Sequence, residues 1–167
     1  MKKRGKFFSG FCFVCLLISS TEVSKAYVTN NKRIQSPTDG IYFYTDFGSD
    51  NDLVEGGILA WNVCPEIEFT WKAPLAGGTD IAIEYVDFDY NDSYATSYGS
   101  GNIAIYKPWN DLSDTRKKET VVHEVGHELG LAHCESSKES ESVMRATGFN
   151  DKAYPLSDDK EGISYLY

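Results

Sequence analysis

Apolar positions along the chain change period several times, and the changes divide it into strands and helices. Ile41 to Phe47 (IYFYTDF) is rich in aromatic and β-branched residues and predicts a strand. After a turn at Gly48–Asn51, Leu53, Val54, Ile58 and Trp61 fall on one face of a helix ending near Cys64-Pro65. Asp52 and Glu55, three residues apart at its start, suit a capping box. Gly56 and Gly57 count against this helix, each by about 1 kcal/mol relative to Ala. Ile67 to Trp71 alternates and predicts a second strand, Asp80 to Val86 a third, and Asn102 to Tyr106 a fourth. Pro108, just beyond the fourth, suits an edge position. Residues 87–101 are polar, aromatic and glycine-containing, and predict an exposed loop. Residues 116–132 carry the strongest helical pattern. Residues 135–142 contain only Ser, Glu and Lys, and are expected at the surface. Ser157 caps a last helix, with Asp158 and Asp159 in the first turn, where negative charge is favoured. Helices alternating irregularly with strands predict an α+β, or mixed α/β, fold.

The first residues stand apart from this pattern. Lys2, Lys3, Arg4 and Lys6 precede a short apolar run from Phe7 to Ile18, and Ser24 and Ala26 form a small-residue cleavage site. Residues 1–26 are therefore expected to be a secretory signal peptide, the run being too short to span a bilayer comfortably. Residues 27–39 read as a short leader and residues 40–167 as one domain, in keeping with a chain of 167 residues. The expected location is secreted, with no stable membrane association once the signal is removed.

Charge narrows the partners. The whole chain has a formal net charge of −9; removing residues 1–26 leaves 11 Lys+Arg against 24 Asp+Glu, or −13. Such a surface repels nucleic acid. Cleavage also removes Cys12 and Cys15, leaving Cys64 and Cys134. An even pair in an exported protein suggests one disulfide, with two buried free thiols as the alternative.

All three histidines fall within 11 residues, in HEVGHELGLAH. His123 and His127, four apart, project from one face of a helix and can converge on one ion. Glu124 is placed to take a proton from a metal-bound water. Gly130 can end the helix and turn the chain so that His133 supplies a third ligand. Three nitrogen ligands leave a fourth position for water, as in a catalytic zinc site. Asp87, Asp89, Asn91 and Asp92 offer oxygen ligands in one loop, a candidate calcium site whose alternative is a solvated acidic loop.

HExxHxxGxxH resembles the signature of the metzincin zinc endopeptidases, and the chain most resembles their matrixin branch. LAWNVCPEIEF followed by GGTDIAIEY is similar to the matrixin helix and the strands after it; Ser142-Val143-Met144 resembles the Met-turn, and LSDDKEGISYLY the C-terminal helix. The resemblance implies a metzincin-like zincin fold: a twisted, mostly parallel sheet with an antiparallel edge strand and three helices. It implies one catalytic zinc on His123, His127 and His133, with Glu124 as general base and Met144 as floor of the site. Arg145-Ala146 replaces the usual aromatic–proline pair after the Met-turn. The function so implied is zinc-dependent hydrolysis of an extended peptide or protein substrate by a monomer, the substrate pairing with the strand Asn102–Tyr106. The alternative is a secreted zinc-containing binding or inhibitory protein without useful turnover, against which an intact Glu124 argues.

Overall fold

The computed structural model describes residues 27–30 and 32–167. The expected signal peptide, residues 1–26, lies outside the described residues. Five strands form one sheet: β1 (Gly40–Tyr44), β2 (Phe69–Lys72), β3 (Ile81–Val86), β4 (Ala95–Gly99) and β5 (Asn102–Tyr106), in the order β2-β1-β3-β5-β4. The first three and β5 pair in parallel, and β4 runs antiparallel to β5 at the edge. With three α-helices, α1 (Asn51–Leu59), α2 (Asp114–Glu128) and α3 (Ser157–Leu166), this is the expected mixed fold. Ile81, Ile83, Ile103 and Ile105 of the two central parallel strands are buried, as befits strands covered on both faces.

Two strand expectations are corrected. Asn102–Tyr106 is not an edge; it lies between β3 and β4. The edge strand is β4, inside the stretch expected to be loop. Its sequence, ATSYG, shows no apolar alternation. Its ladder comes from the partner strand, with Ala95, Thr96 and Ser97 opposite Ile105, Ala104 and Ile103.

Helix α1 forms despite Gly56 and Gly57 because of where it packs. A Cβ on Gly57 would stand 2.6 Å from the Val121 side chain of α2, so the missing side chain permits close approach of the two helices. Trp61, just past α1, is fully buried and donates its indole N–H to the Val122 carbonyl at 3.1 Å. The expected capping box is absent. Glu55 instead accepts the phenol hydroxyls of Tyr42 (2.6 Å) and Tyr44 (3.2 Å), tying α1 to β1. Those two tyrosines are buried, and an unpaired hydroxyl there would be costly.

The segment expected to be a leader joins the domain. Thr29 bridges Leu131, the Asn30 N–H reaches the Gly130 carbonyl at 2.8 Å, and the Ala132 N–H reaches the Val28 carbonyl at 2.8 Å. The expected Cys64–Cys134 disulfide is absent: both are buried free thiols. Cys64 lines a surface hollow with Lys160, Glu161 and Ser164, while Cys134 sits beside Asp158 and Asp159. Among the described residues, no helix is long and apolar enough to cross a membrane.

Candidate metal centre

Helix α2 ends where its chemistry begins. Gly130 has φ +106°, a conformation L side chains rarely adopt, and an added Cβ would collide with the Lys32 carbonyl. The turn it makes carries the chain back, so that His133 meets the two helical histidines. The His123, His127 and His133 ring centroids lie 4.7, 4.8 and 5.3 Å apart. One ligand atom from each imidazole lies within 4.8 Å of the other two. His123 and His127 are half-buried and His133 is exposed.

Backbone carbonyls fix the ring orientations. The Nδ1 of His123 donates to the Val143 carbonyl at 2.9 Å, and the Nδ1 of His127 to the Leu131 carbonyl at 2.9 Å. A carbonyl only accepts, so each Nδ1 carries the proton and each Nε2 keeps its lone pair. The Nε2 atoms of His127 and His133 stand 3.2 Å apart. Tetrahedral zinc with bonds of about 2.0–2.1 Å separates its ligand nitrogens by about 3.3 Å, so the donor set fits zinc. Burial first, then the neighbouring His127, pushes His123 down to about 3. His127 is lowered too, chiefly by burial. Both are thereby kept in the neutral, ligating form.

Glu124 follows the first histidine and is 9% exposed. Burial lifts its carboxyl to about 7, against an opposing pull from the Ser97 backbone and with the Glu128 charge adding to the rise. Together with His123 it lines a cavity of about 470 Å³ whose wall also includes Tyr94, Ala95, Val143 and Phe149.

Met144 lies beneath α2. A Cβ on Gly126 would stand 2.5 Å from the Met144 sulfur and 2.8 Å from the Trp61 ring, so this glycine lets both pack directly against the ligand-bearing turn. The turn holding Met144 is anchored by Asp159 of α3. Asp159 accepts the Ser142 hydroxyl at 2.5 Å and the Val143 N–H at 2.9 Å, and the Ser142 oxygen in turn accepts the Met144 N–H at 2.9 Å. Ser142 is fully buried, a departure from the exposed stretch expected for residues 135–142.

A second buried carboxylate was missed by the sequence reading. Glu128, 3% exposed, accepts the Ser97 hydroxyl at 2.5 Å and the Gly99 and Gly101 N–H groups at 2.8 Å each. It clamps the β4–β5 turn to the helix that carries His127. The only signal for it was its position: a charged residue between His127 and the apolar Leu129, on a helix otherwise buried at that end.

The acidic loop does not gather into a site. Among the described residues, the three histidines are the one group of three or more His, Cys, Asp or Glu side chains able to hold a metal. Asp87 pairs instead with Lys107 at 3.5 Å. Asn91 and Asp92 have positive φ values of 51° and 58°, forming a tight turn bridged by Tyr90 and Ser93.

With this geometry in view, comparison with known proteins is decisive. The family described as Matrixin matches residues 86–167, a stretch that holds α2, all three histidines, Met144 and α3. Over these residues, just under half of the chain, the sequence matches the matrixin family. A protein of Spodoptera frugiperda ascovirus 1a named "Putative matrix metalloproteinase" is 32% identical over 133 residues, covering 76% of this chain. The chain spans 29% of that relative's length. Two solved structures of myroilysin share this chain's fold. One aligns with a TM-score of 0.59 at 14% identity, covering 84% of this chain and 97% of that one. The other aligns with a TM-score of 0.54 at 15% identity, covering 87% and 86%.

Proposed function

We propose that this matrixin is a secreted zinc endopeptidase in which Glu124 is the general base. The single observation that carries the reading is the convergence of three imidazoles beside a buried carboxylate in the wall of a cavity. Zinc held by His123, His127 and His133 would supply a Lewis acid, polarising a carbonyl and lowering the pKa of water. Glu124 accepts the proton of the attacking water and later delivers it to the leaving amine. A carboxyl lifted to about 7 is matched to both tasks near neutral pH.

The substrate is an extended peptide. β4 pairs with β5 along one side only, so its outer edge offers unpaired backbone groups to a chain lying across the cleft. Ser93, Tyr94 and Ala95, at the start of that strand, line the cavity beside Glu124. Through Glu128 the β4–β5 turn is fixed to α2, which holds the substrate-pairing edge in register with the ligand helix. The enzyme acts as a monomer outside the cell. Caseinolysis by zinc-loaded protein, abolished by a chelator and by Glu124→Gln, is the expected result. A zinc-loaded protein inert toward every peptide tested would favour a binding role instead.

A further inference from the structure

Among the described residues, three buried side-chain polar atoms have no hydrogen-bond partner: Glu119 Oε2, Arg145 Nε and Asp158 Oδ1. The first two belong to residues that line the cavity beside His123 and Glu124. The wall of this cavity is therefore not apolar, and its charges can be balanced one by one. Arg116 pairs with Asp151 at 2.7 Å and Arg145 with Glu139 at 3.4 Å. Neither carboxylate lines the cavity, so both arginines are neutralised from outside it. Glu119 is different. It is 3% exposed, its Oε1 accepts the Asn150 N–H at 2.9 Å with the Asp151 and Lys152 N–H groups also turned to the carboxylate, and Arg116 acts on it only through space, no cation among the described residues standing within ion-pair distance. Apart from Glu124, it is the one carboxylate in the wall. A buried carboxylate without a counter-charge is costly, and a cation brought to it from outside recovers part of that cost.

Resting on the endopeptidase reading, we infer that Glu119 selects substrates bearing lysine or arginine at a residue next to the cleaved bond. The alkyl stem of either side chain would lie against Val143, Ala95 and Phe149 in the cavity, and its head would bring positive charge toward Glu119. Glu119 also steadies the segment around Asn150. A purely anchoring role predicts a loss shared by all substrates, whereas charge recognition predicts a change of preference.

The test uses zinc-loaded full-length protein and peptides differing only by Lys, Arg, Gln, Leu or Glu at each position flanking the cleaved bond. The readout is kcat/KM by mass spectrometry. Lys and Arg are expected to lead Leu and Glu at one flank by about tenfold or more, the range for one hydrogen bond to a charged group. Glu119→Gln keeps an acceptor for the Asn150 N–H and is expected to lower the Lys-to-Leu ratio by a similar factor. Leu or Glu matching Lys in the wild type overturns the inference, as does a Glu119→Gln variant that slows Lys and Leu peptides alike. If that variant does not fold, the wild-type series decides alone. A wild-type enzyme that cleaves no peptide of the series overturns the endopeptidase reading and this inference together, an outcome distinct from cleavage without preference.

Discussion

The carboxylate of Asp159 accepts the backbone N–H of Val143 at 2.9 Å, and the Val143 carbonyl accepts the Nδ1–H of His123 at 2.9 Å. A residue on the last helix thus orients the His123 ring through a single residue, Val143. The same carboxylate holds Ser142 and, at 2.7 Å, the Leu156 N–H at the start of α3. Its burial, which raises its pKa, is compensated by these three hydrogen bonds, two from the Met-turn and one from Leu156.

Asp159→Asn removes charge and mismatches at least one of those donors. The expected cost is about 2–3 kcal/mol of stability, from buried donors left unpaired. Zinc affinity should fall about 10–100-fold, the usual effect of losing a partner that orients a ligand. Thermal unfolding and a competitive zinc titration check the two effects separately. Unchanged zinc affinity would show that His123 is oriented without help from α3.

The thiols give a second prediction. Burial raises Cys64 to about 11 and also raises Cys134, so both are poor nucleophiles in the folded protein. Thiol titration of native protein should be slow, and titration after unfolding without reductant should find both Cys64 and Cys134. Finding neither would establish a disulfide between them.

Stability against pH isolates Glu124 in metal-free protein. Its folded pKa of about 7 stands above the ordinary 4.5 of a glutamate. A raised carboxyl contributes stability that is fully present below the unfolded pKa and lost as pH rises through the folded one. Relative to wild type, metal-free Glu124→Gln should therefore gain stability between pH 4.5 and pH 7, by on the order of 2 kcal/mol. Denaturant unfolding of both proteins across that range measures it. A difference independent of pH would mean that burial does not perturb this carboxyl.

The candidate metal centre was legible because its residues are local in sequence. His123, Glu124, His127, Gly130 and His133 lie within one helix and the turn after it, and spacing alone brings them together. The parts set by distant contacts were not legible. β4 has no strand pattern of its own and exists through β5 and Glu128. Gly57 reads as a helix weakener until Val121 is placed beside it. Ser142 and Asp159 look like surface residues in a polar tail, and become buried only because the Met-turn folds against α3. The cysteine pair misled for the opposite reason: an even count suggested a bond, and the two residues are buried as free thiols.

The central claim is that the three histidines hold the metal while Glu124 moves the proton. It is tested most directly by kcat/KM on a quenched peptide, measured with zinc content for wild type, Glu124→Gln and His127→Ala. Glu124→Gln should keep its zinc and lose activity by about 10²–10⁴-fold or more, the span of general acid–base catalysis. His127→Ala should lose both zinc and activity. Near wild-type turnover by zinc-loaded Glu124→Gln would contradict the mechanism.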